Sequence, residues 1–221
     1  MKSVLMALAA LASIAAAPQG DGRVADFRVG GVSFAVPMPE GYCLPVERQA
    51  DVAQLLASMD TENVTDVTLM RCNVALNKGT NDYTIIKTPR RALMVTMSRP
   101  QLLISIGQAF DNPVAVAGAT DQKSLDAAAK NFSDTFGTKV SLSGDFVPRG
   151  KDEVCGYMAG VLRFESPRLS YDQPVAACLT AVGGRMLMIY RAGLKGDDAS
   201  MLQLMRETRA IALTIKPISG T

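Results

Sequence analysis

The chain has no histidine and no tryptophan, and its 221 residues include only five tyrosines and seven phenylalanines. The missing histidine excludes the most. Histidine is the side chain whose ordinary pKa lies nearest neutral pH, and it is the commonest metal ligand. Its absence removes the usual general base, every His-containing triad and every His-ligated metal site. Several local signatures are absent as well. No C-x-x-C is present, which argues against a thioredoxin-type redox pair. No G-x-S-x-G or S-x-x-K marks a serine nucleophile, and neither the phosphate-cradling G-x-x-x-x-G-K-[ST] nor an EF-hand loop occurs. Beyond the leader, no apolar run reaches the roughly 20 residues of a membrane helix, so a spanning segment is not expected. Charge of one sign is lacking too: 23 basic residues stand against 21 acidic ones. That near balance argues against nucleic-acid binding, which normally leaves a basic patch or stripe.

What is present begins with a leader. Lys2 precedes an apolar run over 4–17 that ends in small residues. It is too short to span a bilayer and has the layout of a cleaved signal peptide. Ser13-Ile14-Ala15 and Ala15-Ala16-Ala17 both fit a small-x-small cleavage site, although Pro18 disfavours the second. The expected organisation is a signal peptide over 1–17, a flexible polar segment over 18–26, and a single disulfide-braced α/β domain over 27–221. The expected location is the periplasm or the outside of the cell. There an even number of cysteines reads as disulfides.

Hydrophobic periodicity supplies the elements. Alternation predicts strands over 27–36, 67–76, 83–87, 92–97, 140–146, 154–164, 175–181 and 185–191. Pro37, Pro39 and Gly41 end the first of these, and 78–82 reads as a turn. Gly183-Gly184 is a strong hairpin signal. Apolar residues at i, i+3, i+4, i+7 predict a helix over 46–59 through Val52, Leu55, Leu56 and Met59. Ser98 and Pro100 suit the start of a helix over 99–110. Residues 111–119 read as a loop. Thr120 or Asp121 caps a following helix, which Gly137 stops. Asp197 or Asp198 caps the last helix, with Met201, Leu204, Met205, Thr208, Ile211 and Ala212 inward.

The four cysteines, Cys43, Cys72, Cys155 and Cys178, allow three pairings. The simplest is local, 43 with 72 and 155 with 178, and the chain-entropy model assigns each bridge roughly 3–4 kcal/mol. If the strands over 154–164 and 175–181 pair about a loop centred near Pro167, Cys155 and Cys178 stand directly opposite each other, at a separation a disulfide accepts.

Val32-Ser33-Phe34-Ala35-Val36-Pro37, followed by Gly41-Tyr42, resembles the opening of PsbP-like domains, where an edge strand ends in proline before a glycine and an aromatic. The closing segment is similar as well: a strand, a tight glycine turn, a strand over 186–190 and a last helix. Tyr42 stands where tryptophan is commoner, and the four cysteines depart from that pattern. Gly41-Tyr42-Cys43, a helix and then Cys72 also resembles small secreted bacterial proteins. The resemblance implies an α/β (α+β) sandwich, mostly antiparallel sheet flanked by helices, used for binding and generally without catalysis.

Candidate sites are few. The densest basic cluster is Arg90-Arg91, with Lys87 upstream and Arg99 downstream; it suits an anionic partner, or equally a solvated strand end. Met186 and Met188 share one face of a predicted strand, with Met94 and Met97 on another. Such thioethers favour Cu(I), but methionine also fills gaps in a core poor in aromatics. Asp197-Asp198 is an adjacent carboxylate pair that helix capping explains. The expectation is therefore a periplasmic, non-catalytic binding or protein-interaction module, with no cofactor, no metal and no catalytic residues, whose partner is an envelope protein or envelope component. The alternative is an envelope hydrolase working through carboxylates or an unrecognised serine.

Overall fold

A computed structural model describes residues 23–72, 82–114, 116, 122–194 and 196–218. The leader over 1–17, residues 18–22, the turn at 78–81 and the candidate caps Thr120 and Asp121 lie outside the described residues. The elements in chain order are β1 (Val24–Val29), β2 (Val32–Pro37), β3 (Tyr42–Cys43), α1 (Glu47–Met59), β4 (Asn63–Arg71), β5 (Tyr83–Pro89), α2 (Arg99–Phe110), α3 (Gln122–Phe136), β6 (Ser141–Lys151), β7 (Gly156–Ser166), β8 (Leu169–Val182), β9 (Arg185–Ala192), α4 (Asp198–Thr214) and β10 (Lys216–Ile218). They form an α+β structure with two antiparallel sheets, ordered β1-β2-β10 and β3-β4-β5-β9-β8-β7-β6.

The first expected strand is in fact a hairpin. Residues 24–26, expected to be flexible, belong to β1, and the chain turns at Gly30-Gly31. Both glycines have positive φ, +51° and +88°, as a two-residue type I′ turn requires. Phe27 and Phe34 face each other across it, with ring centroids 5.2 Å apart. Phe34, Val29 and Val36 are fully buried and share one core with Leu69, Ile86, Leu187 and Ile189 of the large sheet and Ile211 and Ala212 of α4. The small sheet thus packs on the large one, and α4 completes the enclosure. α2 begins as expected, with Ser98 and Gln101 in a capping box. It buries Leu102, Leu103 and Ile106 against β8 and β9. α1 forms where its periodicity places it, but none of its residues is fully buried.

Three further expectations are corrected. Residues 92–97 form no strand: Pro89 ends β5, a 3-10 turn covers Arg90–Ala92, and the chain then runs on irregularly. Arg185 holds that stretch, donating from Nη1 to Val95 O at 3.2 Å and from Nη2 to Gly30 O at 2.8 Å. Residues 113, 114 and 116 are helical, not looped. The expected loop over 165–174 is mostly ladder. β7 and β8 pair down to Ser166 and Leu169, leaving Pro167-Arg168 as the turn. Pro174 is tolerated one residue past the last pair of β8 with β9. The register consequently lies two residues from the expected one, and Tyr157, not Cys155, faces Cys178. A two-residue shift keeps every side chain on its face. Cys155, just ahead of β7, therefore still reaches Cys178, with Cα atoms 5.1 Å apart. Cys43 and Cys72 are also bonded, at 5.2 Å, tying β3 to the end of β4. No helix among the described residues is long and apolar enough to cross a membrane.

Candidate functional site

The strongest site grows from three strands and one helix. β3 pairs with β4 so that Tyr42 faces Arg71. That cross-strand pairing lays the Arg71 guanidinium over the Tyr42 ring, 4.5 Å from its centroid. Arg71 Nε donates to Asp82 Oδ2 at 2.7 Å, and the Tyr42 hydroxyl donates to Asp82 Oδ1. Arg191 enters from β9, where it pairs with Thr84 of β5. Its side chain is only 7% exposed, so its charge must be met locally. It is met in full. Nε donates to Glu207 Oε2 of α4 at 2.8 Å, and Nη1 lies 2.5 Å from Asp82 Oδ1 and 3.1 Å from Tyr83 O. Further donations go to Ala192 O and to the Tyr42 hydroxyl, and the guanidinium lies 4.8 Å from the Tyr42 ring centroid.

The electrostatics follow from these partners. Burial pushes the Tyr42 hydroxyl up, and the Asp82 carboxylate that accepts its hydrogen pushes it further, well beyond an ordinary tyrosine. Burial alone would raise Asp82. The hydrogen bonds from Tyr42 and Arg71 and the charge of Arg191 outweigh it and hold the carboxyl below its usual range. The hydrogen bond to Asp82 likewise raises Arg71. Tyr42 stays neutral and Asp82 and Arg71 stay charged across the physiological range.

Beside this cluster opens a pocket of about 360 Å³. Pro37 at the end of β2, with Met38 and Pro39 just beyond it, forms one apolar wall, and Ala210 and Ile211 of α4 form the other. Tyr42, Arg71 and Arg191 supply the polar floor, while Glu40, Glu207 and Thr214 complete the lining. A second cavity of about 470 Å³ shares Arg191 and Glu207 with the first. A third, of about 740 Å³, lies at the β7–β8 turn, where Phe164 stacks on Tyr171 at 5.0 Å and Phe132 meets Phe164 edge-on. Asp66, at the β-bulge of β4, is a carboxyl without a cation beside it. Burial pushes its pKa up to about 6 despite the Thr88 hydroxyl donating to it at 2.7 Å. It lines none of these three cavities. Among the described residues, no three of His, Cys, Asp and Glu gather as metal ligands.

The basic cluster read from the sequence is divided by the fold. Lys87 is paired with Asp60 at 2.6 Å, and Arg99 donates to Ala181 O at 3.2 Å. Only Arg90 and Arg91 stand exposed, on the 3-10 turn. Met97 and Met186 pack against the α2 cluster, Met188 is buried, and Met94 is exposed in the irregular stretch. Asp197 caps α4 by accepting from Ser200 N at 2.8 Å. Sequence reasoning missed Tyr42, Arg71, Asp82, Arg191 and Glu207 as a group. One signal was there: Arg191 closes a strongly apolar strand, and a buried arginine needs anionic partners.

No family model and no curated protein matches the sequence. Among solved structures, the chain is similar to the solution structure of cyanobacterial PsbP (CyanoP) from Synechocystis sp. PCC 6803, with 9% identity and a TM-score of 0.35. That similarity covers 92% of this chain and 99% of the other. A TM-score this low carries no argument about mechanism, so the site rests on its own geometry.

Proposed function

We propose that the chain is a non-catalytic binding module of the cell envelope, exported by its leader and braced by its disulfides. One observation supports this reading above the rest: the buried ionised groups beside the pocket, Asp82 and Arg191, are occupied with each other and with Tyr42, Arg71 and Glu207. Asp82 is held ionised by two arginines and a tyrosine, Tyr42 is held neutral, and the donors of Arg191 are taken up by its neighbours. General acid–base catalysis needs a group that changes protonation near the working pH. Binding needs only shape and a few fixed polar groups, which the pocket has. The carboxyl closest to an acid–base range is Asp66, but its one partner, Thr88, is fully buried. Arg90 and Arg91 extend the reading to an outer surface that meets an anionic envelope protein or envelope component.

The test is capture of envelope material by the mature protein, alongside a broad screen of esterase, peptidase and glycosidase substrates. Specific capture that weakens on replacing Arg90 and Arg91 with glutamate, with the thermal midpoint unchanged, is the expected outcome. Turnover lost on changing a single Asp, Glu or Ser would replace this reading with the hydrolase one.

A further inference from the structure

The pocket beside Tyr42 carries two charges that the internal network does not consume. Arg71 is the first. Its side chain is 46% exposed, and only Nε is hydrogen-bonded, to Asp82. Among the described residues the two terminal nitrogens have no hydrogen-bond partner, yet the group is held in place by Asp82 and by the Tyr42 ring beneath it. A guanidinium fixed in this way is pre-oriented for a carboxylate, which it grips through parallel N–H donors. Glu40 is the second. It is exposed, has no ion-pair or hydrogen-bond partner among the described residues, and lines the same pocket. Gly41, the residue after Glu40, lies against Arg71: a Cβ built on it would be 3.0 Å from Arg71 Nη1, and its φ of +75° suits glycine, so the backbone that carries Glu40 runs past the guanidinium that lines the same pocket.

Each partial ligand meets an obstacle here. A simple anion on Arg71 would sit beside the unpaired Glu40. A simple cation on Glu40 would face Arg71 and Arg191. A molecule with both charges a few ångströms apart satisfies both residues at once. The remaining lining says what else it carries. Pro37, Met38, Pro39, Ala210 and Ile211 offer no hydrogen-bonding side chain, and the Thr214 hydroxyl already donates to Ile211 O at 2.8 Å, so an apolar group suits the interior. A volume of about 360 Å³ is near the lower end of the range for small-molecule pockets, which starts at about 300 Å³ and suits one compact molecule.

We infer that this pocket binds a free α-amino acid with an apolar side chain. Its carboxylate sits on Arg71, its ammonium on Glu40, and its side chain between the proline wall and α4. The inference rests on the binding reading above and names the ligand class for that pocket.

Calorimetric titration of the mature protein with L-leucine, L-methionine, glycine, leucinamide and 4-methylpentanoate tests it. Saturable binding of leucine or methionine is expected, with glycine, leucinamide and 4-methylpentanoate each weaker by about tenfold or more. Arg71→Met should abolish leucine binding. Glu40→Gln should weaken leucine while leaving 4-methylpentanoate unchanged or tighter, because the ligand then lacks the group that Glu40 served. Should Arg71→Met fail to fold, the exposed Glu40→Gln and the two analogues decide the matter alone. Absence of binding by every apolar amino acid overturns the inference, as does binding indifferent to Glu40→Gln and to the analogues. Capture of envelope material would in that case leave the binding reading standing. Chemical conversion of the amino acid would overturn the binding reading itself.

Discussion

The same three residue types meet twice beside a disulfide. Near Cys43–Cys72, Tyr42 and Arg71 both donate to Asp82. Near Cys155–Cys178, Tyr157 donates to Asp152 at 2.7 Å and Arg209 Nε donates to it at 2.8 Å. What differs is the remaining partners. Asp152 also accepts the backbone N–H groups of Val154 and Cys155, each at 2.8 Å, and so it shapes the turn that delivers Cys155 to its bridge. Among the described residues, Asp82 is bound by side chains, and the buried Arg191 joins it to α4. One cluster is architecture. The other holds a half-exposed guanidinium at the mouth of a pocket. Residue identity is therefore a poor guide to role, and the source of the other donors is a good one.

Breaking the arginine on each side should separate the two most sharply. Arg191→Met removes a buried guanidinium and takes one ion-pair partner each from Asp82 and Glu207, so a loss of about 3–5 kcal/mol is expected. Arg209 is 35% exposed, and Arg209→Met should cost much less, because solvent screens its ion pairs. Urea unfolding of both variants measures the gap, and similar losses would erase the distinction.

Removing the bridges comes next. Loss of a native disulfide costs about 2–5 kcal/mol. The Cys155 and Cys178 side chains are fully buried, whereas Cys43 and Cys72 are only partly so. Alanine at both members of the 155–178 pair should reach the upper part of that range, because it leaves a cavity as well. The 43–72 pair should stay in the lower part. A larger midpoint shift for the 43–72 pair would contradict the assignment of the architectural role to the other bridge.

Acid titration sharpens the comparison further. Hydrogen bonds to Asp152 outweigh its burial and lower its pKa from 3.8 to about 2. Its contribution is present above 3.8 and should fade as pH falls toward about 2. Asp66 behaves with the opposite sign, because burial raises its pKa to about 6. Its contribution is complete below 3.8 and is lost as pH rises through about 6. Asp66→Asn should therefore stabilise the protein by about 1–2 kcal/mol above that pH and change little near pH 4. Equal effects at both pH values would count against a buried, unpaired Asp66. The smallest effect belongs to the surface: glutamate at Arg90 and Arg91 should move stability by no more than about 0.5 kcal/mol.

The strands and helices were largely legible because a buried face imposes its period on the sequence. Gly183-Gly184 announced its hairpin by supplying two positive-φ positions, +55° and +78°, between alternating segments. Gly30-Gly31 carries the same signal, but the alternation of Phe27, Val29, Val32, Phe34 and Val36 reads almost continuously across it and hides the turn. The proline and serines near 167–174 suggested a loop where a long hairpin runs, since local turn chemistry says nothing about how far neighbouring strands stay paired. The site was less legible still. Tyr42, Arg71, Asp82, Arg191 and Glu207 come from distant parts of the chain, and only sheet order and the docking of α4 bring them together. Lys87 and Arg99 misled for the matching reason: a charge run in sequence does not reveal Asp60 or the Ala181 carbonyl waiting in the fold.

The central claim is that the Tyr42–Asp82 pair beside the pocket exchanges no proton near neutral pH, and Tyr42 tests it most directly. Phenolate absorbance is to be followed against pH for the native protein and for Tyr42→Phe, and the two curves subtracted. The account predicts a flat difference from about pH 7 to about pH 10, the ordinary tyrosine pKa, because burial and Asp82 keep the Tyr42 hydroxyl protonated throughout. A Tyr42-dependent phenolate signal appearing below about pH 9 would reveal a competent base in the pocket and would contradict the binding account.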